Sequence, residues 1–316
     1  MKNGFVKILV NIIILLAILV VMDIVVGSVG EMSMRILNKA PHDGDAALTN
    51  YDLNAASPDV AILGSSTAIC HYDPNIIHDS LISFTGNEYD VFNMGMSAQR
   101  LAYEYCALSS LVDRKVPKIV ILDVWASYLS EGFQDISYSV FRPYINYNSH
   151  VREMMDRHGE LDLLTKSSMY CWNTEIVKLI MSYRKSTETN GFNGKSKVEL
   201  THPAINIFEE DTCGLAKVSV NEFDGIITLA KKKDIKLFVV LSPRLSPSDT
   251  TCLSYKYMRN KCAENEIPFL DYSNNEKYFI EHYFRDNTHM NYYGAERFTR
   301  DFMKDIKGYI FSNDNG

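Results

Sequence analysis

The sequence predicts an α/β protein in which one parallel sheet is covered by helices on both faces. Three observations lead to this prediction. Short apolar runs alternate along the chain with amphipathic stretches of helical spacing. The runs are apolar throughout, which is typical of strands buried on both faces. Most of them end at Gly, Ser or Pro, the residues that form turns.

Five runs of the 316-residue chain are predicted to be strands. In order they are 60–63, the run "YDVFNMG" ended by Gly95, 119–124, the run "IKLFVVLSP" stopped by Pro243, and the short run "IPFLDYS". Amphipathic helices are predicted at 101–115, at 218–233 and from Tyr293 onward, and residues 254–265 are also predicted to be helical. The last helix carries Phe298, Phe302, Ile306 and Ile310 at four-residue spacing, which indicates packing on a core.

A segment from about 130 to 217 interrupts the alternation of strands and helices. It is rich in aromatic and polar residues, and we expect a partly helical insertion beside the sheet. Trp172, Tyr144 and Tyr147 could line a groove for carbohydrate or an acyl chain, but packing explains such residues more simply.

The N-terminal segment 8–29 reads "ILVNIIILLAILVVMDIVVGSV". Twenty-two helical residues cover roughly 33 Å, enough to cross a hydrocarbon core of about 30 Å. A cleaved signal peptide is the alternative, but its apolar region is usually only about 7–15 residues long. We therefore expect an uncleaved anchor over residues 1–30, a polar linker over 31–57 and a folded domain over 58–316. Asp23 either reaches headgroup water or contacts a membrane partner.

Composition argues against several classes of function. Hydrophobic residues make up 46% and charged residues 22% of the chain, which is ordinary for a globular protein, and the net charge is −7. Without a long Lys/Arg block, nucleic-acid binding has little support. Six cysteines are present, but no CxxC motif occurs, so we expect neither a metal site nor a cofactor. Buried thiols are expected for most of the cysteines, although an exported domain could pair some of them.

The stretch "ILGSSTA" places a serine where the first strand hands over to a helix. Gly64 permits a tight turn there. Ser66 would begin the helix, with its Oγ exposed and its amide free to face a developing oxyanion. Taken alone, Gly-Ser-Ser is usually a plain turn.

The stretch "FNMGMSAQ" ends the second strand with two further candidate donors. The Gly95 amide and the Asn93 side chain could join the Ser66 amide in an oxyanion hole. Taken alone, a Gly-ended strand with an Asn turn explains these residues equally well.

The stretch "DNTHMN" supplies an acid and a base just before the last helix. Residues three apart on a helical turn share a face, so Asp286 could orient His289. The other ring nitrogen of His289 could then take a proton from Ser66, which completes a Ser–His–Asp triad.

These three motifs resemble those of the SGNH (GDSL-type) hydrolases, and more closely their membrane-anchored relatives, the alginate O-acetylation and teichoic-acid D-alanylation proteins. "GSS" stands at the Gly-Asp-Ser block, "NMG" at the Asn-x-Gly block and "DNTHMN" at the Asp-x-x-His-Leu-Asn block. Ser66 thereby matches the nucleophile, Gly95 an oxyanion donor, and Asp286 and His289 the acid and base. The resemblance covers roughly 58–125 and 218–311, and it implies a three-layer flavodoxin-like sheet.

The chain also departs from the family pattern. The Gly-x-Asn-Asp block is absent, and "ILDVWASY" stands in its place, so a standard oxyanion asparagine is missing. Ser65 replaces the aspartate of the first block. Both departures also occur in the membrane-anchored acyltransferase branch.

The resemblance implies a membrane-anchored serine esterase or O-acyltransferase. It would act on acyl esters, above all acetyl esters, of cell-surface or secreted polysaccharide. We expect a single-pass protein of the cell membrane with its catalytic domain on the extracytoplasmic side, and a membrane-bound O-acyltransferase as a possible partner. The alternative is a non-catalytic carbohydrate-binding or assembly scaffold with the same fold.

Overall fold

A computed structural model describes residues 2–42, 44–131, 138–183, 190–200, 214–245 and 247–311. The chain divides into two compact units, one made of 1–50 and 138–186 and the other of 51–137 and 187–316. The expected insertion is therefore shared between the two units. Part of it, including Cys213, lies outside the described residues.

The secondary structure follows the predicted alternation. The strands are Val60–Leu63 (β1), Val91–Asn93 (β2), Ile119–Asp123 (β3), Lys236–Leu241 (β4) and Phe269–Asp271 (β5). The α-helices are Lys2–Ile36 (α1), Asp45–Asn54 (α2), Ser66–His71 (α3), Pro74–Thr85 (α4), Leu101–Arg114 (α5), Ser149–Arg157 (α6), Ser168–Trp172 (α7), Glu175–Ser182 (α8), Lys217–Lys232 (α9), Leu253–Glu264 (α10) and Tyr292–Phe311 (α11).

The sheet has the order β2-β1-β3-β4-β5, and every neighbouring pair is parallel. Val60 of β1 lies opposite Val91 on one side and Ile119 on the other. This is the flavodoxin-like order, and it fits the fold of the SGNH hydrolases. The predicted fold class is confirmed.

Both faces of the sheet are buried, which explains why the strands are apolar at every position. One face presents Val60, Ile62, Ile119, Ile121, Phe238 and Val240. These residues share a core with Ile77 and Leu81 of α4 and with the apolar stripe of α11. The residues between them point to the opposite face and are buried as well. There α9 packs on β4 and α10 on β5.

In the other unit, α1 changes its surroundings at Asp23. Every residue from 4 to 22 is exposed, whereas beyond this point Gly27, Gly30 and Met34 are buried on one face of the helix. Helix α7 packs against this face, and a Cβ atom on Gly30 would overlap the indole of Trp172. Trp172 is thus a packing residue.

Among the described residues, α1 alone is long and apolar enough to cross a membrane. The expected linker 31–57 contains the end of this helix and the whole of α2. The Asn50 side chain of α2 donates to the Met34 carbonyl, 3.0 Å away, which ties the two helices together.

Candidate active site

Gly64 makes the turn that presents Ser66. Its φ is +145°, and a Cβ atom there would lie 2.8 Å from both the Ala68 Cβ and the Asp123 carbonyl oxygen. No other residue type fits without displacing its neighbours. The chain therefore leaves β1 sharply, with Ser65 as the N-cap of α3 and Ser66 as its first residue. Ser65 is buried, whereas Ser66 is partly exposed.

Ser66, His289 and Asp286 form one chain of hydrogen bonds. The Ser66 Oγ lies 2.7 Å from His289 Nε2, and His289 Nδ1 lies 2.9 Å from each Asp286 carboxylate oxygen. Because a carboxylate only accepts, the Nδ1–H donates to Asp286 and leaves Nε2 to accept from the serine. The structure thus brings together the three residues that the sequence suggested as a triad.

Asp286 is held in its ionised form. Its partial burial would raise its pKa, but the hydrogen bonds from the His289 ring and from the backbone N–H groups of Thr288 and His289 outweigh this effect. The pKa of Asp286 is therefore well below its ordinary value. A permanent carboxylate at this position can fix the imidazole tautomer and stabilise an imidazolium.

The loop that carries this pair is closed on itself. The Arg285 N–H donates to the His289 carbonyl over 3.0 Å, and Phe284 and Met290 form an isolated antiparallel bridge. Asn291 follows, and its side chain donates to the His282 carbonyl and accepts from the Gly294 N–H at the start of α11. The Asn of the motif therefore ends the loop and begins the helix.

His71 supports this loop from beneath, and the sequence did not single it out. No motif in the neighbouring sequence marks His71, and its side chain is fully buried. Its Nδ1 lies 3.0 Å from Ser242 Oγ, while its Nε2 lies 3.0 Å from the Met290 nitrogen and 3.1 Å from the Thr288 oxygen. His71 thus contacts the peptide groups on both sides of His289. Burial, with the nearby His289, lowers the pKa of His71 to about 3, so its ring is neutral.

Asp123, at the end of β3, is the second buried support. It accepts hydrogen bonds from the Thr67 and Tyr72 hydroxyls and from the Ser242 N–H. Burial raises its pKa to about 6 against the opposing effect of these donors. Since Ser242 also contacts His71, one buried network joins the strand ends to the loop of the catalytic pair.

Trp125 forms a wall beside the candidate nucleophile. Its indole N–H donates to Thr67 Oγ1 over 3.2 Å, and Thr67 follows Ser66 directly. The Arg244 guanidinium stacks on the Trp125 ring, 3.9 Å from its centroid. Trp125 belongs to the stretch "ILDVWASY", which stands where the family pattern has its Gly-x-Asn-Asp block.

The expected oxyanion donors are arranged differently from the prediction. The Asn93 amide nitrogen donates to the Ala68 and Tyr72 carbonyls, over 2.8 and 3.2 Å. Its oxygen accepts the Gly95 N–H over 3.0 Å. Asn93 therefore ties the end of β2 to α3, and the Gly95 amide is engaged within the protein. The Ser66 amide lies at the first position of α3, where a backbone N–H has no partner inside the helix.

Within the described part of the chain, no group of three or more His, Cys, Asp or Glu residues is placed to hold a metal ion. The five described cysteines are buried free thiols. Burial raises the pKa of Cys70, below the active site, to about 11.

Comparison with known proteins gives structural neighbours alone. No family model matches the chain, and no curated protein matches it. A lipase/acylhydrolase from Enterococcus faecalis is similar over 79% of this chain and 96% of its own, with 14% identity and a TM-score of 0.36. An acetyl xylan esterase is similar over 80% of this chain and 100% of its own, with 12% identity and a TM-score of 0.41.

Proposed function

We propose that the protein is a membrane-anchored serine esterase or O-acyltransferase of the SGNH type. One observation carries the proposal: the hydrogen-bonded chain Ser66–His289–Asp286 at the carboxyl edge of a parallel sheet. Ligands of such sheets bind at this edge. A serine, a histidine and an ionised carboxylate in this order form the arrangement that activates a hydroxyl for attack on a carbonyl.

The reaction proceeds through two half-reactions. Ser66 Oγ attacks the ester carbonyl while His289 Nε2 takes the hydroxyl proton, and the tetrahedral intermediate collapses as His289 returns that proton to the leaving alkoxide. A serine ester then carries the acyl group. Water or a sugar hydroxyl attacks this ester with His289 again as the base, and Ser66 is restored when the intermediate collapses. Asp286 keeps its charge throughout and pairs with the imidazolium.

We assign the oxyanion to the Ser66 and Gly95 amides, with Asn93 beside them. Each amide donor of this kind is worth about 3–4 kcal/mol in the transition state. To stabilise the oxyanion, the Gly95 N–H must either turn away from Asn93 Oδ1 or donate to both oxygens at once. The Asn93 amide group donates to the carbonyls of Ala68 and Tyr72, in and just after α3. We therefore assign to Asn93 the role of positioning Gly95.

The substrate class is proposed as acyl esters of polysaccharide, above all acetyl esters. Trp125, bonded to Thr67 and stacked with Arg244, is the aromatic residue that we assign to the substrate side of the site. The anchoring helix α1 would keep the enzyme at the cell membrane, with its catalytic domain on the extracytoplasmic side. A membrane-bound O-acyltransferase is the proposed partner and acyl donor.

The test uses the full chain in detergent or nanodiscs with a fluorophosphonate probe, which labels activated serines. We expect labelling and hydrolysis of an aryl acetate, with both lost in Ser66→Ala and retained in Ser65→Ala. Adding an O-acetyl donor and an acceptor oligosaccharide then distinguishes the two reactions: acetylated oligosaccharide indicates transfer, and free acetate indicates hydrolysis. Absence of labelling and of turnover in the intact protein would contradict the proposal.

One observation favours a second candidate, a non-catalytic carbohydrate-binding or assembly scaffold. The Gly95 amide and the Asn93 side chain are bonded within the protein, so the proposed oxyanion hole is not open in this structure. A scaffold would bind polysaccharide equally well in the unsubstituted protein and in Ser66→Ala, and neither form would react with the probe.

A further inference from the structure

The exposed surface of α1 ends where the proposed anchor would leave a bilayer. Nineteen residues, Gly4 to Met22, are exposed around the whole circumference of the helix. They cover about 28 Å, close to one hydrocarbon core of about 30 Å. Lys7 lies near the opposite end, where a long side chain can reach headgroup water. The covered face begins at the next residue, Asp23.

Asp23 is bonded within its own unit rather than left to the membrane. Its carboxylate accepts from the Ser167 hydroxyl over 2.6 Å and from the Met169 N–H over 2.8 Å. These are the residues that begin α7. The start of α7 therefore lies at the level where the bare part of α1 ends. The segment that leads into α7 is joined to that helix, because the Cys171 thiol donates to the Thr165 carbonyl, and we place it at the same level.

The segment that leads into α7 contains two exposed leucines. The Leu163 side chain is 78% exposed and Leu164 is 56% exposed, four and three residues before Ser167. Lys166 beside them is also exposed. The turn is fixed in this orientation, because Asp162 accepts from the Thr165 N–H over 2.9 Å and the Thr165 carbonyl accepts from the Cys171 thiol over 3.2 Å.

We propose that the turn around Leu163 and Leu164 inserts into the boundary between headgroups and acyl chains of the bilayer. The proposal rests on the membrane anchoring of α1 proposed above. A pair of exposed leucines at the depth where the anchor leaves the hydrocarbon contacts lipid without any rearrangement of the unit. The Lys166 ammonium lies next to them, where it can pair with lipid phosphates. The unit is then held to the membrane at two places, and its rotation about the α1 axis is restricted.

Depth-dependent quenching of a fluorophore tests the insertion. The full chain is reconstituted in nanodiscs after Leu163→Cys or Leu164→Cys and labelled with a nitrobenzoxadiazole thiol reagent. Because the five described native cysteines are buried, the unsubstituted protein measures the background. Lipids with a nitroxide at a shallow or a deep acyl carbon are the quenchers.

Two further labelled positions serve as references. Leu15→Cys, in the middle of the bare span, should be quenched most by the deep nitroxide. Glu153→Cys lies on the charged, exposed face of α6 in the same unit and should be quenched little by either lipid. We expect the two leucine positions to be quenched at least threefold more than Glu153→Cys, and mainly by the shallow nitroxide.

The outcomes separate this inference from the anchoring itself. Quenching at Leu15 without quenching at Leu163 and Leu164 would overturn the insertion and leave the anchor intact. Protection of the leucine positions from both nitroxide lipids and aqueous iodide would overturn it in favour of a protein contact. If Leu15 is not quenched by lipid, the anchor and the insertion are both wrong.

Discussion

The Nε2 atom of His71 lies 3.0 Å from the backbone nitrogen of Met290, although 219 residues separate the two. The same atom lies 3.1 Å from the Thr288 carbonyl oxygen. The peptide groups on either side of His289 therefore rest on one buried, neutral ring. His71 thus holds the backbone on both sides of His289, the proposed general base, without contacting a reacting atom.

Replacing His71 should lower turnover without weakening substrate binding. His71→Ala removes the contacts to Thr288, Met290 and Ser242, and we expect kcat to fall about 100-fold with KM little changed. His71→Gln keeps one acceptor and one donor and should recover part of the loss. His78→Ala, a histidine on α4 bonded to the Tyr89 carbonyl, is the matched control. Equal kinetic losses in His71→Ala and His78→Ala would contradict a positioning role.

The unit that contains the triad, residues 51–137 and 187–316, should be less stable in acid because of His71. The pKa of His71 is lowered from 6.5 to about 3 in the folded protein, so the unfolded chain binds more protons. This contribution is full above pH 6.5 and is lost as the pH falls toward 3. Urea midpoints measured at pH 7 and at pH 4.5 should differ more for the unsubstituted protein than for His71→Gln. A parallel decline in both proteins would show that another group is responsible.

The contribution of Asp123 to stability should have the opposite pH dependence. Its pKa is raised from 3.8 to about 6, so its stabilising effect is full below pH 3.8 and is lost as the pH rises through 6. The pH dependence is therefore best measured as the difference between the unsubstituted protein and His71→Gln, because both proteins keep Asp123.

Ser66→Ala should abolish turnover, whereas Ser65→Ala should be mild. Ser66 Oγ is the hydroxyl bonded to His289, and removing a triad serine costs several powers of ten in rate. Ser65 is a buried N-cap whose side chain makes no cap hydrogen bond. Its hydroxyl interacts with Tyr128 instead, so its loss should cost at most about one hydrogen bond, roughly 1 kcal/mol, or around fivefold if that bond acts on the transition state. Turnover of an aryl acetate by both folded variants decides between the two serines, and a dead Ser65→Ala with an active Ser66→Ala would reverse the assignment.

Gly64→Ala should lower the free energy of unfolding of the unit that contains the triad more than Gly86→Ala does. Both glycines have positive φ, and each alanine pays roughly 1–2 kcal/mol for that conformation. Only at Gly64 would the new methyl group also meet the Asp123 backbone and the Ala68 side chain, whereas the space around Gly86 is open. The measurement is the urea midpoint of each variant. Similar midpoints would mean that the neighbours of Gly64 yield easily.

Asp23→Ala should loosen α7 without affecting turnover of a soluble substrate. The substitution removes the acceptor of the Ser167 hydroxyl and the Met169 N–H, and losing a cap typically costs about 1 kcal/mol. Hydrogen exchange at the Met169 amide should accelerate about fivefold or more. Asp45→Ala, in the first turn of α2 of the same unit, is the control. Unchanged exchange at Met169 would show that α7 is held by packing alone.

The strands were predictable because each is a local pattern. Residues 60–63 match β1 to the residue, since a strand buried on both faces is apolar at every position and ends at the glycine the turn requires. The grouping of Ser66, Asp286 and His289 was also predictable, because parallel strands bring their carboxyl ends to one edge and the three motifs follow strands or precede the last helix.

The supports of the site were not predictable for a physical reason. The partners of His71 lie 171 and 217 to 219 residues away, so nothing near His71 in the sequence distinguishes it from a surface histidine. Asn93 was assigned to the oxyanion hole because the sequence does not distinguish a free side-chain donor from one that is already hydrogen-bonded within the protein. Its partners in α3 were invisible until the fold placed them. Helix α2 was read as linker since its pattern is only weakly amphipathic.

Ser66 and His289 are 223 residues apart, and the last helix, α11, supplies Phe298, Phe302 and Ile306 to the core beneath them. A nascent chain that has been synthesised as far as β4 carries Ser66 but neither Asp286 and His289 nor a finished sheet. Ser66 is therefore an ordinary alcohol until the rest of the chain has been made. Under the proposed function, this serine becomes reactive only once α11 has packed on the sheet.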